Sequence, residues 1–475
     1  MRILDGLKPD KVFEYFENIS AIPRGSHNTE KIRNYCVKFA EERNLNYKTD
    51  DAGNIVIYKP ACNSESTEPV IIQGHLDMVW EKNDSSNINF ETDGLELIVE
   101  DDFIRANGTT LGGDDGIAVA MGLALLDSKD ISHPPLEVLF TADEEVGMSG
   151  AEGLDSSILN GKRMINLDSE AEDVLWVSCA GGVRADINFN ASFIPNTKNA
   201  YTITVSGLHG GHSGAEIHKG YANANKVMGK LLSKVLKKCS FDICSINGGT
   251  MDNAITRECV CVISSDENVC DIISDIYEGF INEYKINDPE IKISVSKSEK
   301  YMKSMDSEFT KAFITFLNEL PSGVISMSKD IEGLVETSLN LGKLKTEDDN
   351  ISFVFSLRSG KDTEKAKLCN VISEICKNHN CEISFRSSYP AWEYKKESML
   401  RDTMISVYRE MYGKELKVTA IHAGLECGIF CGKIDGLDCV SLGPDMYDIH
   451  TPEERLSISS CRRVWEFLLR VLEII

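Results

Sequence analysis

Three short apolar runs in the first third of this 475-residue chain end in residues that bind metals. Val70-Ile71-Ile72 leads into Gly74-His75-Leu76-Asp77. Leu136 to Phe140 leads into Thr141-Ala142-Asp143-Glu144-Glu145-Val146-Gly147, and Met164 to Leu167 into Asp168-Ser169-Glu170. Open α/β sheets build their sites at the carboxyl ends of strands. With Asp114 and the late His450, the inventory fits a hydrolase that uses two metal ions.

Each residue type suits a role in such a centre. His75 offers a ring nitrogen to a metal, and Asp77, two residues on, is placed to take the other ring nitrogen's proton and fix the tautomer. Asp114 and Asp115 stand between glycines in Gly112-Gly113-Asp114-Asp115-Gly116. Two dications about 3.5–4 Å apart need a shared anion, and Asp114 is assigned that bridge. Asp115 is left to cap or brace the following helix. If the backbone stays extended through Glu144-Glu145, the side chains diverge, one to a metal and one to the substrate as general base. Asp168 supplies a terminal carboxylate and His450 a second imidazole. The carboxylates Asp114, Glu145 and Asp168 then offset most of the charge of two zinc ions, with the histidines completing the nitrogen ligation zinc favours.

The elements that must hold these residues follow from periodicity. Asn28 or Thr29 is read as capping a helix through Ile32, Tyr35, Cys36, Phe39 and Ala40, followed by a strand at Ile55 to Tyr58. Gly116 to Leu126 is apolar nearly all round, which predicts a buried helix. From about Arg184 the pattern becomes half-exposed strands, such as Tyr201 to Val205 and Ile351 to Leu357, separated by helices such as Ala222 to Leu236. After Trp392 the first style returns with a helix at Met399 to Met411, a strand at Cys439 to Leu442 and a helix through Trp465 to Leu472. Thr451 and Glu454 have capping-box spacing, which predicts that His450 sits at a helix start. The expected fold is an α/β catalytic domain from residues 1–184 and 391–475, its mostly parallel sheet covered by helices on both faces. Residues 185–390 are expected to form an inserted α+β lid domain.

Composition narrows the partners. Fifty basic residues against 75 acidic ones give a formal charge of −25, which repels phosphate backbones and anionic lipid. Nucleic acid and membrane are therefore not expected. Forty-two per cent hydrophobic and 26% charged residues are those of a globular chain. The 15 cysteines include no C-x-x-C pair, and the closest two, Cys259 and Cys261, are expected on opposite sides of a strand. Free thiols and a start without an apolar h-region, Met1 to Phe13, point to the cytoplasm.

Taken together, the HLD, GGDDG, DEEVG and NLDSE strings and the late histidine resemble the M20 family of metallopeptidases along essentially the whole chain. GGHSGAEIHKG and AGLECG are most similar to the aminoacyl-histidine (PepD-like, Xaa-His) dipeptidases. The resemblance implies that His75 and Asp168 bind one zinc and Glu145 and His450 the other. Asp114 would bridge them, Asp77 would orient His75 and Glu144 would be the general base. It also implies a cis peptide at Asp114–Asp115. In Gly207-Leu208-His209-Gly210-Gly211-His212-Ser213-Gly214, His212 would stabilise the oxyanion. Asn253 and Arg358 resemble lid contacts to substrate, and His422, Gly424 and Glu426 a substrate-end loop of the catalytic domain.

The expected activity is hydrolysis of a small peptide, an Xaa-His dipeptide, with two Zn2+ per subunit and Mn2+ or Co2+ as alternatives. Other M20 activities on the same metal core are tripeptide aminopeptidase, carboxypeptidase and N-acyl amino acid deacylase. The expected assembly is a homodimer. A metal-stabilised binding protein is the reading from another class, and it gives Glu144 no purpose.

Overall fold

The computed structural model describes residues 2–299, 301–347 and 350–475. The chain divides into two compact units. The first holds residues 2–178, 394–420 and 425–475, and the second residues 179–393 with 421–424.

The first unit is built on an eight-stranded mixed sheet. Its order is Asn46–Thr49, Ile55–Lys59, Leu136–Thr141, Val70–His75, Arg163–Asn166, Asp438–Ser441, Val174–Cys179, Lys417–Ile421. The centre is parallel: Val70–His75 runs parallel to both Leu136–Thr141 and Arg163–Asn166, and Asp438–Ser441 parallel to Arg163–Asn166. The flank from Leu136–Thr141 outward is antiparallel. All six residues of Val70–His75 and of Leu136–Thr141 are buried, so both faces are covered, as their unbroken apolar runs predict.

The helix Gly113–Asp127 is buried on every side from Gly113 to Leu126. A helix with no polar stripe has to lie inside the core, and this one packs against the sheet so closely that a Cβ at Gly122 would sit 2.8 Å from the Phe140 ring. The helices Glu30–Glu42, Met399–Tyr412 and Ile458–Ile474 appear where periodicity places them. Their apolar stripes join one core with Phe13, Phe16, Ile72, Val138 and Leu468.

The second unit is a nine-stranded sheet whose described pairs are antiparallel, running from Lys292–Lys297 to Glu382–Tyr389. It includes Asn199–Ser206 and Asn350–Ser359 and carries the helices Ala224–Leu236, Val269–Ile281, Ser307–Glu319 and Asp362–Asn378. Its core is separate, with Phe313, Phe316, Phe353 and Phe355 among its aromatics.

Four differences from the sequence reading have local causes. The strand Gly181–Asn190 begins before residue 184 and pairs with Asn350–Ser359 and Glu382–Tyr389, which carries those residues into the second unit. Ile421–Gly424 also belongs there, because the Ile421 and Ala423 carbonyls accept the Ala180 N–H. Cys259 and Cys261 are both fully buried in one core, since side chains two apart on a strand share a face. His450 lies in a turn with φ 60°, and the final helix starts only at Ile458, capped by Ser457. No disulfide pairs the cysteines among the described residues, and no helix among those residues is long and apolar enough to cross a membrane.

Candidate metal centre

The parallel strands deliver their last residues to one edge of the first unit. His75 ends its strand and is 1% exposed. Its Nδ1 faces the Asp77 carbonyl at 3.2 Å and the Asp77 carboxylate at 3.3 Å, leaving Nε2 for the carboxylates on the ring's other side. There Nε2 lies 3.1 Å from Asp114 Oδ1 and 3.7 Å from Asp168 Oδ1. The other oxygen of Asp114 lies 3.2 Å from His450 Nε2, which is itself 3.1 Å from Glu145 Oε1. Asp114 therefore stands between two imidazoles, each with a second carboxylate beside it.

The ligand atoms of His75, Asp114 and Glu145 lie within 4.8 Å of one another, as do those of His75, Asp115 and Asp168. Asp115 is nevertheless committed elsewhere, because its Oδ2 accepts the His75 N–H at 3.1 Å. It braces the strand end, as a bracing role for Asp115 requires. The Asp114–Asp115 peptide is cis.

The loop after Leu136–Thr141 is not extended at the glutamates. Asp143 turns into the left-handed region at φ 53°. The Asp77 carboxylate then accepts the N–H groups of Glu144 at 2.9 Å and Glu145 at 3.3 Å. Glu145 reaches His450, whereas Glu144 sits among His75, Asp168 and Glu426.

The electrostatics of the cluster reflect its crowding. Burial, together with Asp168, Glu426 and Glu145, holds the Glu144 carboxyl well above the usual range. Burial also raises Asp168 and Glu145, despite the histidines beside them. Burial opposes charge on His75, yet Asp168, Asp114 and Asp77 hold its pKa well above the ordinary value. Hydrogen bonds from its ring to the Asp114 and Glu145 carboxylates push His450 up to about 11. Crowded carboxylates facing two imidazole nitrogens form a donor set that a divalent metal fits.

Glu454 was read as a cap for a helix behind His450. It instead accepts the N–H groups of Leu111, Gly112, Gly113 and Asp114, at 2.7 to 3.3 Å, and so caps the buried helix that carries Asp114. Its i+3 spacing to Thr451 pointed to the wrong helix, and no local signal gave the right one. Glu426 is fully buried, and its Oε2 accepts hydrogen bonds from Gln73 at 2.7 Å and Thr141 at 2.8 Å.

In the second unit His212, Arg358 and His422 converge on Gly214. A Cβ there would sit 3.1 Å from both the Arg358 Nε and the His212 ring. His212 Nδ1 accepts the N–H of Ala215 at 3.0 Å and of Gly214 at 3.3 Å, which leaves the ring proton on Nε2. Burial and the Arg358 charge lower its pKa, so the ring is neutral and Nε2 is a donor. Arg358 is 5% exposed, gives Nη1–H to the Tyr389 hydroxyl at 2.9 Å and keeps a buried Nε without a partner. Gly424 lies against the Tyr389 ring, and the Asn253 carbonyl accepts the Ser213 N–H at 2.8 Å, pinning the loop next to His212.

The chain is 33% identical to the cytosol non-specific dipeptidase of Escherichia coli, over 100% of this chain and 99% of that one. The crystal structure of the aminoacylhistidine dipeptidase from Vibrio alginolyticus superposes with a TM-score of 0.94 at 32% identity, covering 99% of this chain and 98% of that one. Aminopeptidase PepT from Bacillus cereus shares the fold at 14% identity, with a TM-score of 0.57 and 98% of each chain covered. The sequence profile of peptidase family M20/M25/M40 matches residues 71–474, and the chain belongs to that family.

Proposed function

We propose that the chain is a metallodipeptidase that hydrolyses the amide bond of dipeptides, aminoacyl-histidines among them, in the cytoplasm. The observation that carries this reading is Asp114, whose two oxygens face His75 Nε2 and His450 Nε2 at 3.1 and 3.2 Å. The full-length likeness to a non-specific dipeptidase and to an aminoacylhistidine dipeptidase supports the substrate class.

In this reading His75 and Asp168 would hold one zinc ion and Glu145 and His450 the other, with Asp114 available to both. When bound, they polarise the scissile carbonyl and acidify a water. Glu144 takes the water's proton and passes it to the departing amine. Burial beside Asp168, Glu426 and Glu145 raises the proton affinity of its carboxylate, which favours taking up that proton. Asp77 orients His75 and the loop that bears Glu144. His212 Nε2–H stabilises the developing oxyanion, and Arg358 receives the substrate carboxylate, with Asn253, His422 and Gly424 shaping that end. Glu426 contributes from the metal side. The second unit acts as the lid, and a homodimer is the proposed assembly.

The test is a substrate panel with metal control. β-Alanyl-histidine, ordinary dipeptides, tripeptides and acetylated amino acids are assayed before and after chelation, then with zinc, manganese or cobalt restored. Dipeptide turnover that vanishes with chelator and returns with zinc is expected. Tripeptides or acetylated amino acids turned over as fast as dipeptides would refute the assigned substrate class.

A further inference from the structure

Arg24, beside the metal-side site, is a cation that the mechanism above leaves without a role. It lies in the loop after the helix Asp10–Ser20 and is 2% exposed. Its Nη1 donates to the carbonyls of Leu76 and Asp77, both at 3.0 Å, and its Nη2 donates to the Gly112 carbonyl. The first two acceptors belong to the turn after His75, the third to the turn before Asp114. One planar group thus spans the two segments that carry a terminal ligand and the bridging ligand.

The GGDDG string is shaped around this group. A Cβ at Gly112, where φ is +63°, would sit 2.5 Å from Arg24 Nη2, and one at Gly116 would come closer still. Two of the string's glycines are therefore explained by room for the guanidinium. On its other side the turn is gripped by Glu454, which accepts the Gly112 N–H at 3.0 Å. The Asp77 carbonyl is shared as well, since His75 Nδ1 faces it at 3.2 Å.

Among the described residues no carboxylate oxygen pairs with Arg24 within salt-bridge distance, although Glu454, Asp77, Asp115 and Asp114 surround it. Burying an unpaired guanidinium is unfavourable, and an apolar side chain would fill the space at lower cost if packing were the only need. The fork geometry is what an apolar residue or a lysine lacks.

We propose that Arg24 is a positioning residue of the metal centre, fixing the His75 and Asp114 turns in register through three backbone carbonyls. This rests on the metal-centre reading above. Zinc and cobalt binding to the metal-free protein is titrated calorimetrically for wild type, Arg24→Lys and Arg24→Ala, alongside thermal melts that confirm folding. Both variants should bind metal about tenfold or more weakly. Millimolar guanidinium should restore affinity to Arg24→Ala, and methylammonium should not. Wild-type affinity in either folded variant would overturn the proposal, as would equal rescue by methylammonium, which would mark a role of charge alone. A wild-type protein that takes up no metal would instead overturn the metal centre itself. Should Arg24→Ala fail to fold, the Arg24→Lys titration decides.

Discussion

The Asp77 carboxylate accepts the backbone N–H of Glu144 at 2.9 Å while facing His75 Nδ1 at 3.3 Å. One buried group therefore sets both the ring proposed to bind metal and the loop that bears the proposed base. Ser26 Oγ donates to its second oxygen at 2.8 Å, which fixes the carboxylate itself. Burial disfavours the Asp77 anion, but His75, the Glu144 amide and Ser26 outweigh it and hold its pKa below the ordinary value.

Asp77→Asn keeps the shape but can turn an NH2 toward amides that need an acceptor. Loss of such an outer partner weakens metal binding by about 10–100-fold. The expected outcome is weaker metal binding together with a lower kcat at saturating metal, because the Glu144 loop is also released. Metal titration and steady-state assays check both. A variant that recovers full kcat when metal is added in excess would confine Asp77 to orienting His75.

Glu144→Gln should separate chemistry from binding. The amide cannot accept the water proton, so kcat should fall by about 10²–10⁴-fold. Metal content and melting temperature should stay close to wild type, since the side chain is not among the metal-facing contacts of His75 or His450. Undiminished turnover would refute the assigned base.

Metal uptake should release protons at neutral pH. Asp114 and Glu145 push His450 up to about 11, and Asp168, Asp114 and Asp77 raise His75, so both rings are expected to carry protons when no metal is bound. A metal ligand must be a neutral imidazole, so each site expels a proton and affinity weakens as pH falls. Calorimetry in two buffers of different ionisation enthalpy counts the protons. A heat independent of buffer would contradict this proton inventory.

The placement of His75, Glu145 and Asp168 at one edge of the sheet was legible in the sequence because each lies at or just past the end of a strand, two of which, Val70–His75 and Leu136–Thr141, are buried on both faces. A polar residue at the end of such a run has few positions to occupy except the sheet edge. The residues that hold the turns in place were not legible. Glu454 binds amides 340 to 343 positions away, and Arg24 reaches a carbonyl 88 positions away. Capping rules compare residues a few positions apart and are blind to such partners. The left-handed turn at Asp143 escaped for a related reason: its partner, the Asp77 carboxylate that binds the loop amides, comes from another strand. His422 and Gly424 were grouped with Glu426 by proximity in sequence, yet the contact boundary passes between Gly424 and Leu425.

His212→Ala should lower kcat by about 10²–10³-fold, the loss seen when one oxyanion donor is removed. KM should change less, because the contact strengthens only as charge develops on the carbonyl oxygen. His212→Gln, which restores an N–H donor on a side chain of similar reach, should recover part of the loss. A variant that raises KM alone would assign His212 to ground-state binding.

The second unit should lose stability on acidification through His422. Burial, with Arg358 and His212 adding to it, pushes this ring down to about 3. Its Nε2 lies 2.7 Å from Ser338 Oγ, so the folded state holds it neutral. An unfolded histidine titrates near about 6.5, so between these values the unfolded chain binds more protons. The contribution is therefore fully present above about 6.5 and is lost as pH falls toward about 3. His212, also lowered, acts in the same direction. Thermal melts of wild type and His422→Gln across this range isolate the term as a difference, since the carboxylates common to both cancel. The variant should start less stable at neutral pH and show a shallower decline on acidification. Parallel declines would mean that His422 is as readily protonated in the folded chain as in the unfolded one.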